Sequence, residues 1–463
     1  MNGNHLPMIT HKLKKGYTIK LAGAPEKILI DAEKPLLFAS QPFDFLGLKP
    51  RLEVEVGSEV KIGSPLYNNK ERPEIKFVSP ASGKVIQINR GERRKIAEVV
   101  IESDGTDSAI DFGGETLENL ENLGPDRIKK KLLDAGMWPL IRQRPFSKIA
   151  NPQVTPRDIF ITGMDTAPLV ADPEFILQGE EENFNAGLKI IKQLTAGKIY
   201  LSLNGALKTH LPFLVNPDGV EVHEFYGKHP VGNLSVHIHH IAPINAGDNV
   251  WYLNAVDVPL IGKLFRSGKY PRERIVAVSG SSVKPEARKY YRTWVGTNVQ
   301  TMVNEGTLED EHVRIITGSV LRGRKIPENG FLGFYNRTLT IIPEGKEREF
   351  FGWLTPGIDQ ESFSRTFLSR FFPRKEYIKD TRIHGGKRAF IQTGDYEKML
   401  PMDIYPAYLV KSIMAGEIED MLSLGLLEVD DEDFALCTYI CPSKIDFGIH
   451  IRQGLDILER EGE

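Results

Sequence analysis

Between residues 17 and 110, apolar and polar positions alternate in short runs that glycine and proline interrupt. Val54-Glu55-Val56-Gly57, Lys61-Ile62-Gly63, Phe77-Val78-Ser79-Pro80 and Gly83-Lys84-Val85-Ile86-Gln87-Ile88 are of this kind. A period of two predicts strands, and turn residues at that spacing predict a small all-β unit. After Gly124 the period lengthens. Pro125 to Asp134 places Ile128, Leu132 and Leu133 at helical spacing, with Gly136 as a stop. The pattern predicts strands over Asp158 to Thr162, Lys198 to Leu203 and Leu234 to Ile241, with a helix from about Asn183 to Thr195 closed by Gly197. Alternating helices and strands imply a layered unit with a parallel sheet. From Arg272 to about Arg324 the pattern predicts a strand (Ile275 to Ser279), a second strand (Tyr291 to Val295), a short helix (Val299 to Glu305) and a third strand (Val313 to Thr317), as in a small β-grasp module. Near the end, Leu409 to Ser423 and Ile449 to Arg460 are the clearest amphipathic helices.

Composition narrows the function. The chain has 463 residues, which allows about three domains at roughly 150 residues each. It is 41% hydrophobic and 26% charged, with a mean hydropathy of -0.26, as in ordinary soluble globular proteins. No window approaches the ~18 consecutive apolar residues of a spanning helix, so any membrane contact is expected to be peripheral. With 59 basic and 62 acidic residues, the net charge of -3 gives no global pull on nucleic acid. Two cysteines, Cys437 and Cys441, supply no disulfide framework and suit a reducing cytoplasm. Met1 to Pro7 lack the apolar core of a secretory signal, and Met8 is an alternative start.

The candidate chemistry is sparse. Neither G-x-G-x-x-G after a strand nor G-x-x-x-x-G-K-[ST] occurs, and neither a G-x-S-x-G elbow nor H-E-x-x-H is present, so no catalytic residue is assigned. Five of the eleven histidines fall between His223 and His240, and Val236-His237-Ile238-His239-His240 read as a strand sets two imidazoles on one face. Metal sites use such pairs, but no third ligand is evident, and hydrogen-bonded structural histidines are the expectation. Phe363 to Lys375 interleaves phenylalanines with arginines, a composition of interface cores and membrane-proximal surfaces. Val56 to Leu66 followed by Ser79-Pro80-Ala81-Ser82-Gly83-Lys84-Val85 resembles the lipoyl and biotinyl carrier fold, a barrel-sandwich hybrid. A carrier role would need an exposed hairpin lysine. Lys70 is near the place, but the acidic residue that precedes the modified lysine in those domains is missing, and a structural hybrid domain is the expectation.

The most telling segment is Cys437-Thr438-Tyr439-Ile440-Cys441-Pro442, because C-x3-C-P closes the ferredoxin motif C-x2-C-x2-C-x3-C-P. The two missing thiolates would stand at Asp431 and Phe434, and a carboxylate is a poor ligand for a cluster that wants soft sulfur. The segment therefore reads as a degenerate iron-sulfur domain.

The order of parts resembles the family that unites the flavoprotein subunit of respiratory complex I, the C subunit of the Rnf complex and the A subunit of the sodium-translocating NADH:quinone reductase. Gly136-Met137-Trp138-Pro139 with Arg144-Pro145-Phe146-Ser147-Lys148, Met164-Asp165-Thr166-Ala167-Pro168-Leu169, Asn185-Ala186-Gly187-Leu188, Ile316-Thr317-Gly318-Ser319-Val320-Leu321, Phe351-Gly352-Trp353 and Ala435-Leu436-Cys437-Thr438 with Cys441-Pro442 are similar to the last of these. The resemblance implies an α/β plus β fold with four parts. They are a barrel-sandwich hybrid (lipoyl-like) over residues 8–112, a Rossmann-like α/β domain over 113–271, a β-grasp (SLBB-like) module over 272–330, and a mixed then helical C-terminal ferredoxin remnant over 331–463.

The resemblance also implies what the chain does and lacks. Flavin- and NADH-binding relatives carry a glycine-rich loop where this chain has Gly136 to Lys148, and two glutamates where it has Asp165 and Ala167. It follows that no cofactor is bound here, although the complex uses NADH, flavins, iron-sulfur and ubiquinone. The expected partners are the other five subunits, above all the membrane-embedded ones, on the cytoplasmic face of the bacterial inner membrane. Trp138, Arg142, Arg144, Phe146 and Lys148 are the quinone-contact candidates, the aromatics as faces and the cations as donors to quinone oxygens. The bland alternative has Trp138 filling the vacated flavin space and the arginines pairing with Asp134 and Asp165. Two rival functions are a stand-alone NADH-flavin dehydrogenase and a biotin or lipoyl carrier.

Overall fold

The computed structural model describes residues 8–345 and 352–461; Met1 to Pro7, and Phe351 of the Phe351-Gly352-Trp353 stretch, lie outside them. One large sheet has six strands: β1 (Ile9–Lys12), β2 (Arg142–Arg144), β3 (Ile159–Thr162), β4 (Ile199–Asn204), β5 (Glu221–Tyr226) and β6 (Val250–Asn254). They lie in the order β1-β5-β4-β3-β6-β2, all parallel except β2, which runs antiparallel to β6. Helices cover the faces of a parallel sheet, so its central strands are apolar on both sides. Ile-Phe-Ile in β3 and Ile-Tyr-Leu-Ser-Leu in β4 are accordingly buried throughout.

The longer helices that accompany this sheet are α1 (Pro125–Asp134), α2 (Glu181–Ile191), α3 (Leu234–Ile241) and α4 (Val258–Ser267). The crossing of α2 and α4 is set by two glycines. A Cβ on Gly187 would stand 2.2 Å from the Val258 carbonyl oxygen, and one on Gly262 would stand 2.0 Å from that of Asn183. The two backbones therefore touch, and this is the physical content of the Asn185-Ala186-Gly187-Leu188 stretch.

Leu234 to Ile241 is α3, not the strand that its alternation predicts. Both faces of this helix are buried, so apolar residues recur at a spacing that also fits a period of two. Leu234 and Ile238 face one core with Ile241, while Val236 enters the C-terminal core. The histidines are thereby dispersed. His237 donates from Nε2 to the Val231 carbonyl at 2.9 Å, His239 meets Glu428 at 2.7 Å, and His240 reaches the Pro401 carbonyl at 2.9 Å. His223 sits in β5 against His11 of β1, 2.9 Å apart. Among the described residues no three of His, Cys, Asp and Glu are placed to hold a metal ion.

A four-stranded sheet (Leu37–Ser40, Ile96–Ser103, Gly83–Arg90, Glu59–Val60) and a three-stranded one (Pro50–Leu52, Pro65–Asn69, Lys76–Val78) share a core built on Leu66, Tyr67, Phe77, Val85 and Ile101. A further six-stranded sheet holds Glu273–Ser279, Tyr290–Trp294 and Val313–Thr317 as predicted, with Arg324–Ile326 and Thr338–Pro343. Its last strand, Leu29–Asp31, is donated from the N-terminal region, pairing parallel to Tyr290–Arg292, just as β1 pairs with β5. The helix expected over Val299 to Glu305 is two 3-10 turns, Val299–Thr301 and Glu305–Thr307. The single helix expected over Leu409 to Ser423 is two, Pro406–Ala415 and Ile418–Ser423, broken where Gly416 turns left-handed at φ 78°. Ala435–Ile440 and Phe447–Glu461 complete the C-terminal unit.

Two predictions follow from the packing. Gly262→Ala adds a methyl where another backbone stands, and should destabilise the chain by a net ~2 kcal/mol even after the ~1 kcal/mol of helix propensity that alanine gains. Chemical denaturation reads this, and a stabilised variant would place the helices further apart. The second concerns His237, fully buried, which burial pushes down to about 3. The unfolded chain binds a proton near 6.5 that the native chain refuses, so this contribution to stability falls as pH drops below 6.5. Asp44 and Asp433, pushed up to about 6 by burial, act in the opposite sense, but they cancel when parent and His237→Gln are compared. From pH 7.5 to 5 the parent should lose about 2 kcal/mol relative to that variant. Parallel stability curves would show that His237 titrates normally.

Candidate functional site

The chain order of the large sheet reverses at β3. From there it proceeds outward through β4 and β5 on one side and returns through β6 on the other. In such sheets the crevice outside the carboxyl ends of the strands at the reversal is where ligands bind. Thr162 and Asn254, the facing last residues of β3 and β6, open into a cavity of about 300 Å³ there, at the lower end of the range for small-molecule sites.

Three parts of the chain close this cavity. The sheet and the loop after β3 supply Arg142, Tyr252 and Asp165; residues from Gly318 to Thr338 supply Ser319, Arg322, Tyr335 and Arg337; and Asp430 and Glu432 come from the C-terminal unit. Arg322 clamps the mouth by pairing with Asp165 and with Glu432, the latter at 2.8 Å. Asp165 also accepts from the Ala167 amide at 2.9 Å, so the Met164 to Leu169 loop is folded around that carboxylate. Arg337 pairs with the buried Asp257 at 2.6 Å. Arg142 is different. Its guanidinium carbon lies 4.5 Å from the ring centroids of both Tyr252 and Tyr335, and it has no hydrogen-bond or ion-pair partner among the described residues. Its Nε is buried and unpaired. Tyr335 is held in place by its hydroxyl, which donates to the Pro139 carbonyl at 2.6 Å.

The period of two along β2 puts Arg142 and Arg144 on one face, and both lie near the Tyr252 ring. Arg144 is not among the residues that line the cavity. It is 1% exposed and pairs with Asp430 at 3.4 Å. Asp430 also pairs with Arg452 and accepts from the Ser147 hydroxyl. Burial is the largest influence on that carboxyl and pushes it up, but Arg144 and Arg452 outweigh it and hold Asp430 below the ordinary carboxylate range. The turn after β2 is tight, with Phe146 and Ser147 at φ 78° and 58°.

The five quinone-contact candidates are thus separated. Trp138 is fully buried, edge-on to Trp251, with Nε1 donating to the Ala150 carbonyl at 2.8 Å. Phe146 packs on the C-terminal core, and its carbonyl accepts from Arg452 at 3.0 Å. Lys148 pairs with Glu459 of the last helix. Only Arg142 lines the cavity. The alternative pairing differs too: Asp134 binds Lys76 and Lys130, and Asp165 binds Arg322, so neither takes Arg142 or Arg144. Sequence reasoning missed Tyr252, Tyr335, Arg322 and Arg337, which come from distant segments whose meeting at the cavity has no local signature.

Cys437 and Cys441 are fully buried in a core with Tyr396, Phe434 and Phe447. The Cys441 sulfur lies 3.2 Å from the Tyr396 hydroxyl, and the Cys437 thiol donates to the Tyr396 carbonyl at 3.7 Å. Burial pushes the Cys437 thiol far up, so it stands here as a neutral thiol.

Comparison with known proteins places this architecture. Three family models match: the NqrA N-terminal barrel-sandwich hybrid domain over residues 11–104, the NqrA second alpha/beta domain over 123–270 and the NQRA C-terminal domain over 275–328. The A subunit of the Na(+)-translocating NADH-quinone reductase of Yersinia pseudotuberculosis is 39% identical over 97% of this chain and 100% of its own length. The chain belongs to the NqrA family. Its counterparts in the same reductase of Shewanella frigidimarina, 37% identical over 98% of this chain, and of Neisseria meningitidis, 38% over 97%, match along their entire lengths. Membership of the NqrA family favours neither a stand-alone dehydrogenase nor a carrier protein.

The buried pair at the edge of the cavity can be tested on the purified chain. Asp430→Asn leaves Arg144 buried without a counter-ion and should cost about 3–5 kcal/mol. Arg144→Leu should cost less, because Asp430 keeps Arg452. Urea denaturation of both variants checks the order, and the reverse order would show that Arg144 is solvated.

Proposed function

We propose that the chain is the peripheral, cofactor-free subunit of a complex that reduces ubiquinone with electrons from NADH and exports sodium, and that it contributes a quinone contact at the Arg142 crevice. It works with five other subunits, docking on the membrane-embedded ones from the cytoplasmic face of the bacterial inner membrane. No helix among the described residues is long and apolar enough to cross a membrane, which suits a peripheral position. In this reading the scaffold descends from a flavin dehydrogenase, with a lipoyl-like hybrid, a Rossmann-like domain and a ferredoxin remnant. The residues present do not fit the ancestral groups. Met137, Trp138 and Leu140 are buried in the core where a flavin loop would be open, and Phe434 fills the site of a cluster thiolate.

One observation carries the quinone reading: Arg142 faces a cavity with a cationic donor that nothing in the described chain satisfies. A quinone head offers carbonyl acceptors to such a donor, and Tyr252 and Tyr335 offer ring faces. The cation also favours the anionic reduced forms over the neutral quinone. Trp138, Arg144, Phe146 and Lys148 then act by fixing the position of β2 and its turn.

Arg142→Leu in the assembled complex should raise the apparent KM for quinone roughly 10- to 100-fold, the range for one charged hydrogen bond. Trp138→Ala should lower yield and assembly and leave the KM of the surviving complex near that of the parent. An unchanged KM in a fully assembled Arg142→Leu complex would eliminate the crevice as a quinone contact.

A further inference from the structure

Between Gly352 and Asp395 the chain forms no helix or strand apart from two 3-10 turns, Gly352–Leu354 and Leu368–Arg370. Irregular runs of this length inside a compact protein are commonly functional. The aromatic-arginine stretch that stands out in the sequence is divided by the fold. Phe363 packs edge-on against Tyr17, 5.6 Å between centroids, whereas Phe371 and Phe372, directly after the second turn, are 71% and 70% exposed. The tip that displays them is held from beneath. The Leu368 amide donates to the Pro356 carbonyl at 2.9 Å, and the Ser369 hydroxyl donates to that of Gln360. On the far side Arg374 pairs with Asp359, and its amide donates to the Tyr377 hydroxyl at 3.1 Å.

Along this strap the charge is predominantly positive. From Phe363 to Ile391 the chain holds eight Lys and Arg against Glu376 and Asp380 alone. Arg365, Arg370, Lys375, Lys387 and Arg388 are exposed and have no carboxylate partner among the described residues. Ile378 and Ile383, on the same strap, are 70% and 74% exposed. Exposed Phe371 and Phe372 are flanked in the chain by the unpaired Arg370 and Lys375, and an apolar tip beside unpaired cations complements an anionic surface with an apolar interior. Aromatic side chains lodge at the boundary of headgroups and acyl chains, and an anionic leaflet attracts basic segments beside them.

We propose that this strap is a lipid-binding surface, with Phe371 and Phe372 entering an anionic bilayer at headgroup depth and Arg370, Lys375 and their neighbours on lipid phosphates. The proposal rests on the peripheral placement argued above, and adds direct contact with lipid to contact with other subunits.

The test is sedimentation of the purified full chain with vesicles of phosphatidylethanolamine and phosphatidylglycerol, and with vesicles of phosphatidylcholine alone. Binding is expected to the anionic vesicles only, weakening as salt is raised. Arg370→Gln with Lys375→Gln should lower partitioning about 30-fold, given ~1 kcal/mol per cation at an anionic surface. Phe371→Ser with Phe372→Ser should lower it at least tenfold, with an unchanged melting temperature. No binding to anionic vesicles, or equal binding by parent and both variants, overturns the proposal. Hydrogen exchange in the assembled complex separates the readings. Protection of residues 368–375 by membrane subunits in detergent, with none from vesicles, makes the tip a protein contact and leaves the peripheral placement standing.

Discussion

Taking a guanidinium out of water is costly unless an anion meets it, and the position of Arg144 makes that constraint organise the molecule. The side chain leaves the edge strand of the large sheet and ends in the C-terminal unit, against Asp430. Asp430 in turn fixes Arg452 on the last helix and Ser147 in the turn after β2, while Asp433 accepts from Asn233 just before α3. One buried charge pair thereby sets where the C-terminal helices sit on the sheet. With them placed, Glu432 comes within reach of Arg322, and the crevice gains its third wall.

The crevice is a product of these junctions, with no one domain containing it. Its polar groups are paired across boundaries, Arg322 to Asp165 and Glu432, Arg337 to Asp257, and that pairing makes the exception visible. Arg142 is held by rings, which attract a cation without quenching its hydrogen-bonding edge. Two segments far apart in the chain, Met164 to Leu169 and Ile316 to Leu321, meet there.

What could be read from sequence follows the same division. Elements whose burial is one-sided or continuous were legible: α1 with its apolar stripe, β3 and β4 with their apolar runs, and the last helix. Leu234 to Ile241 was not, because a helix buried on two faces leaves no polar stripe to set its period. The strands β1 and Leu29–Asp31 were illegible for another reason, since each belongs to a sheet built elsewhere in the chain. The candidate loop was located, but the direction of each side chain depended on the register Arg142 to Tyr252 and on carboxylates nearly 300 residues away. Only one of its five residues reaches the cavity, and the tyrosines beside it carry no pattern of their own.

The donated N-terminal strands have a consequence for biosynthesis. Residues 9–12 and 29–31 leave the ribosome early, yet their partners at 223–226 and 290–292 are about 200 residues or more behind. At ~5–20 residues per second, the nascent chain carries two unpaired strand edges for roughly 10–50 seconds while the barrel-sandwich unit that follows them can already close. The sheets therefore mature out of chain order, early segments waiting for partners made long after them.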